Sequence, residues 1–233
     1  ENIEPSYFSK GPPQNFPVKG LFDGRFNATG RGFSLEQAIE NSEVDLLLEG
    51  RNGLFTAFQM NNVTQLGLIG AGLLGQGLQR PGISALAQSV PYFENIRFEE
   101  FVLELTRKQD RKVRIPRLLL NGDNIQIDGQ GLIAASRLRD VLDQPMNLTL
   151  GLGAKGGLVD HLETLGLLKA KADPGGFRAW NQDLKIVGTL ARPNTDSLIE
   201  LLRGAAIRAL NQSNDSAASP KGESGQPRQQ SKE

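Results

Sequence analysis

The strongest constraint on this chain is an alternation of apolar and polar residues at period two that recurs along its middle. Phe101, Leu103 and Leu105 alternate with mostly polar neighbours. Val113 and Ile115, Leu118 and Leu120, Ile125 and Ile127, and Leu148, Leu150 and Leu152 follow the same pattern. Successive side chains of a strand point to opposite faces, so one apolar face at this period means half-buried antiparallel strands. Asn121-Gly122 and Asp128-Gly129 predict turns within the series, and Pro116 predicts an edge position or a bulge. Upstream, Val18 to Ala28 alternates weakly. Glu43 to Glu49 and Leu54 to Phe58 read as two strands joined across the hairpin dipeptide Asn52-Gly53.

Helix signals are fewer. Ser34-Leu35-Glu36-Gln37 fits a capping box heading a short helix that ends near Asn41. Gly157 to Leu168 places Val159, Leu162 and Leu165 at helical spacing. Thr195 can cap a longer helix whose buried stripe is Leu198, Leu201, Leu202, Ala205 and Ala209. Pro81 divides Ala71 to Ser89 into two short pieces that could dock on a sheet. The fold class that follows is α+β and β-rich: a curved, mainly antiparallel, groove-like sheet with a few short helices packed on it and a C-terminal helix. Residues 1–17, with four Pro, read as an irregular lead-in, residues 18–211 as the folded domain, and residues 212–233 as a polar disordered tail. Gly30-Arg31-Gly32 and Gly129-Gln130-Gly131 each stand between a strand and a short connection to the next, a weak internal repeat.

Composition narrows the chemistry. Among 233 residues, 26 basic side chains balance 26 acidic ones, which argues against nucleic acid as the main partner. There is no Cys and one His, so a thiol nucleophile is excluded and any Ser-His-Asp arrangement would depend on His161. His161 has no second His to share a metal and no nucleophile elbow to serve, and it reads as structural or solvent-exposed. Glu99 and Glu100, adjacent in a strand, point to opposite faces and select no acid–base pair. The uncharged run 52–79 is densest from Leu66 to Leu78, too short to span a bilayer. It contains G-x-G-x-x-G at Gly70 to Gly75, but Gly77 and Pro81 interrupt the helix a dinucleotide site needs. A nucleotide-binding enzyme is therefore the weakest of the readings. No residue receives a catalytic role, and no cofactor or metal is expected.

The run Arg107, Lys108, Arg111, Lys112, Arg114 and Arg117 joins two strands through Gln109-Asp110. Such a run either touches anionic headgroups or forms a solvated hairpin tip. It lacks the interleaved aromatics that stack bases.

Several segments, read in order, resemble the C-terminal part of AsmA-like proteins of the bacterial envelope. Gly24 to Glu49 has the look of that family's strand, G-x-G-x-S-L turn, short helix and strand. Gly50 to Phe55 and Phe93 to Leu105 are similar to further strand starts. Leu119 to Gly131 resembles its strand–turn–strand element, and Val187-Gly188-Thr189-Leu190-Ala191-Arg192-Pro193 its terminal V-x-G-T-L-x-x-P. The likeness extends over roughly Val18 to Leu210, while Gly67 to Gly82 departs from it. It implies a non-enzymatic, β-rich portion of an envelope protein concerned with outer-membrane biogenesis or phospholipid handling. It also implies a periplasmic location, on a chain held at the inner membrane by an anchor preceding Glu1. Phospholipid and other envelope proteins are the implied partners.

Within that expectation the apolar sheet face is either an acyl-chain trough or a core filled beneath helices. The candidate trough residues are Phe101, Leu103, Leu105, Val113, Ile115, Ile125, Ile127, Leu148 and Leu150. The candidate headgroup contacts are Arg107, Lys108, Arg111 and Lys112. A structural or assembly module that binds other envelope proteins is the alternative reading.

Overall fold

The alternating segments become strands that lie side by side in chain order. The structure, a computed structural model, describes residues 18–56, 81–194 and 196–217 (the backbone alone at 138–139, 206 and 209–217). Six long strands form an antiparallel meander: β1 Val18–Thr29, β2 Glu43–Phe55, β3 Ile96–Arg107, β4 Val113–Gly122, β5 Ile125–Ile133 and β6 Pro145–Ala154. Beyond β6 the sheet forks. Pro145 to Leu150 pair with β9 (Leu184–Thr189), which carries the two-residue β10 (Pro193–Asn194). Gly153 and Ala154 pair with β8 (Arg178–Trp180), which carries β7 (Leu168–Ala172). The β-rich α+β class is thus the one expected, a large open antiparallel sheet with a few short helices.

The helices are α1 (Leu35–Glu40), α2 (Pro81–Ser89), α3 (Pro91–Glu94), α4 (Gly157–Thr164) and α5 (Asp196–Ala217), with a 3-10 turn at Leu138–Asp143. α2 packs against both α4 and α5. Ala85, Leu86, Phe93, Leu158, Leu162, Leu198 and Leu202 from the helices share one buried core with Leu120, Ile125, Ile127 and Leu152 from the sheet. Each fully buried aliphatic side chain there contributes about 1.5–3 kcal/mol. The inward residue of α4's first turn is Leu158, with Val159 only half-buried. α5 buries Leu198, Leu201, Leu202 and Ala205 as its spacing predicts. The Asn194 side-chain oxygen accepts from the Asp196 N–H at 2.9 Å at its start. Once its packed turns exist, helix extension is cheap, and α5 continues to Ala217, beyond the boundary expected at 211. The expected lead-in 1–17, the cap Thr195, the Gly70 to Gly75 motif, the Ala209 side chain and the tail from 218 lie outside the described residues.

Two predicted turns are absent. Asn52-Gly53 makes no hairpin, because β2 runs through it with β1 on one side and β3 on the other. The dipeptide forms a bulge instead. Asn52 takes φ 52°, and the β1–β2 register shifts between Lys19 and Leu21. A Cβ on Gly53 would collide with the Phe98 ring and the Lys19 carbonyl. Gly53→Ala is therefore expected to lower unfolding stability by about 1–3 kcal/mol, as overpacking does. Chemical denaturation measures the loss. Asp128-Gly129 is likewise mid-strand, paired with Leu119 and Leu118 on β4 and with Gly151 and Leu150 on β6. Pro116 does mark a bulge, where the β4–β5 register slips between Ile115 and Leu118. A further irregularity between Phe98 and Glu100 leaves Glu99 and Glu100 both exposed rather than on opposite faces.

Candidate functional site: an apolar trough

The three packed helices cover only part of the apolar face. Beside them a hollow of about 500 Å³ crosses the sheet from Val18 on β1 to Ile186 on β9. That volume lies in the range of small-molecule sites. Six strand spacings separate β1 from β9 in the pairing order. Laid flat that is roughly 29 Å, so the hollow is a trough running across the strands. Of the residues lining it, Thr106 and Arg107 alone carry polar side chains.

Seven of the nine expected residues line this trough: Phe101, Leu103, Leu105, Val113, Ile115, Leu148 and Leu150. Ile125 and Ile127 do not. Both are 2% exposed in the core beneath the helices and do not border the hollow, whereas Phe101, Val113, Ile115 and Leu150, buried in that same core, do. The alternation also runs on into residues that were not singled out. Val44 and Leu46 on β2, Ile133 on β5 and Met146 on β6 continue the same face at period two. Leu142 and Leu190 complete the rim from connections, where no periodic signal exists.

Gly129 and Gly131 explain part of the trough's shape. A Cβ on Gly129 would strike the Leu150 side chain, and one on Gly131 would strike that of Leu148. The two leucines therefore lie across bare β5 backbone. The other half of the repeat works differently: Cβ atoms on Gly30 and Gly32 would collide with the backbone of α1 at Ala38. Strand, short helix and strand recur as expected, but the two glycine pairs serve different close approaches.

The four basic candidates separate. Arg107 is 2% exposed. Its Nη1 donates to the Ser42 carbonyl at 2.5 Å, and its Nη2 donates to the Glu40 and Ser136 carbonyls at 3.0 and 3.1 Å. Burial pulls its pKa below the usual guanidinium value; the charge of Arg111 adds to the shift and that of Glu40 opposes it. Arg107 is thus a structural clamp and not an exposed headgroup contact. Arg107 borders the trough, and its head binds backbone oxygens. Lys108 pairs with Asp45 at 2.9 Å, and Arg111 donates to the Asn41 side chain at 2.9 Å. Lys112 is exposed. Arg114 binds the Asp110 carboxylate, and this hydrogen bonding holds the Asp110 pKa down at about 2.

Other chemistry finds little support among the described residues. No group of three or more His, Asp or Glu there could hold a metal ion. His161 is half-buried with its ring 6.2 Å from that of Tyr92, away from the trough. No helix there is long and apolar enough to cross a membrane. Fold and site together define an open antiparallel sheet with an apolar trough that the helices among the described residues leave uncovered. No protein-family model matches the chain, and no curated protein or solved structure matches it.

Proposed function

We propose that this chain is a non-enzymatic, lipid-handling portion of an AsmA-like protein of the bacterial envelope, with the trough as the seat of an acyl chain. The observation that carries the reading is the trough's lining, apolar at every position but Thr106 and Arg107. Each CH₂ removed from water in such a place is worth about 0.8 kcal/mol, so a chain is held without any polar catalytic group. Lys108, Arg111 and Lys112 lie on the hairpin between Arg107 and Val113, two residues of the lining, and in this reading supply the headgroup contacts. The order of the AsmA-like segments supports a periplasmic location on an inner-membrane-anchored chain.

The test is native mass spectrometry with lipid extraction on the chain purified from a bacterial envelope. Bound phospholipid is the expected result. A clean lipid-free mass with no uptake of a fluorescent acyl probe overturns the reading. The assembly-module alternative is favoured by one observation: β1 has a single strand neighbour among the described residues, and it exposes Leu21 and Phe26. An apolar edge of this kind is a template for pairing with another strand.

A further inference from the structure

The edges of the sheet are unequally guarded. On the far side β7 is five residues long and carries Lys169 and Lys171, while β10 is two residues long and begins with Pro193. Short strands, lysines and prolines are devices that stop an edge from pairing with another chain. β1 is twelve residues long, and among the described residues only β2 pairs with it. Its bulge lies near the start, between Lys19 and Leu21. From Leu21 to Thr29 the register with β2 is unbroken, and that stretch contains neither Lys nor Pro.

Within it, Phe22-Asp23-Gly24-Arg25-Phe26 is self-complementary about Gly24. Laid antiparallel against a second copy, with Gly24 on the two-fold axis, it sets Phe22 opposite Phe26 and Asp23 opposite Arg25, each twice. A two-fold contact requires this reciprocity, and aromatic and opposite-charge pairs are favourable cross-strand neighbours. Sliding one strand by two residues, which keeps the faces matched, puts Asp23 opposite Asp23 or Arg25 opposite Arg25. Charge therefore selects the register.

The surroundings fit such a pairing. Phe26 is 69% exposed beside Leu46, whereas Phe22 is buried against Phe98 and Phe101. Across the axis each exposed Phe26 gains Phe22 of the other copy as a neighbour. Arg25 has its side chain 82% exposed and reaches Glu49 only at 3.9 Å, so its head is placed to meet a facing carboxylate. The charges of the two strands balance: Lys19, Arg25 and Arg51 stand against Asp23, Glu43 and Glu49, and Asp45 is held by Lys108. Lys19 would face the uncharged Thr29.

We infer that a second copy of this chain pairs with β1 along its edge, antiparallel and with Gly24 on the two-fold axis, joining two sheets into one. The inference names an occupant for the β1 edge and does not depend on what fills the trough.

Sedimentation velocity on the 233-residue chain tests it, with the thermal midpoint as the control for folding. The native chain should be a dimer. Asp23→Arg sets like charges opposite each other twice and should weaken dimerisation about tenfold or more, and Arg25→Asp should do the same. Asp23→Arg also places a base opposite Glu49 of its own β2, which favours the folded monomer. Mixed in equal amounts, the two single variants should dimerise with each other, because every facing charge pair is then opposite. The double variant carrying both changes should dimerise like the native chain. A native monomer overturns the inference, and is the result expected if another segment of the chain or a different protein occupies the edge. So does a native dimer that both single variants keep, or a pair of single variants that stays monomeric when mixed.

Discussion

Replacing Arg107 with Met is expected to cost about 3–5 kcal/mol of stability, read as a fall in the urea midpoint with the slope unchanged. Its guanidinium donates to the carbonyls of Glu40, Ser42 and Ser136, which belong to two different connections between strands. Met fills a similar volume but leaves three acceptors without this donor at a site from which water is largely excluded. A buried carbonyl deprived of its partner loses about 1–3 kcal/mol. Lys is not a substitute. A single ammonium cannot hold the geometry of a planar fork that spans α1 and the loop at Ser136. Arg107→Lys should therefore recover less than half of the loss, whereas Lys112→Met on the exposed hairpin tip should stay within about 0.5 kcal/mol of native. A charge-only role for Arg107 would instead let Lys restore most of the stability.

That clamp also marks where sequence reasoning loses its grip. Period-two alternation locates a strand and the side its apolar residues face, since both follow from local geometry. It cannot tell how much of that face another element will cover. Leu103 and Ile127 look alike in sequence, yet one lines the trough and the other lies in the core shared with the helices. The difference is made by α2, α4 and α5, which come from distant parts of the chain. Arg107 is a sharper case. It sits in a basic run, but it falls on the inward face in step with Leu103 and Leu105, and the parity of the alternation carried that information. Only the long-range carbonyls at Glu40 and Ser136 turn an inward arginine into a clamp. Asn52-Gly53 failed for a related reason. A hairpin dipeptide specifies local backbone angles, and Asn52 does adopt a positive φ, but continuous pairing with β1 and β3 converts the turn into a bulge.

The same contrast supplies the most discriminating functional experiment. Leu103→Glu is expected to abolish acyl-probe uptake, with at least a hundredfold loss of affinity, while the cooperative fold survives. Leu103 is half-buried on the open trough wall, packed beside the core and not within it. A carboxylate there can reach solvent through the open side. Its presence nonetheless places a charge against any chain in the trough, and an unpaired charge in an apolar site is costly enough to expel the ligand. Ile127→Ala should do the reverse. At 2% exposure in the shared core it should lose about 2–5 kcal/mol of stability through the cavity it leaves. Its affinity for the probe, measured where the chain is still folded, should be close to native because Ile127 does not touch the trough. If both variants lose binding only in proportion to their loss of folded protein, the trough is a packing defect of the sheet and the chain works by its surfaces. If Leu103→Glu loses the probe while holding its thermal midpoint within a few degrees, the part of the sheet that the described helices leave open is a binding site, and those helices fill the part that is not.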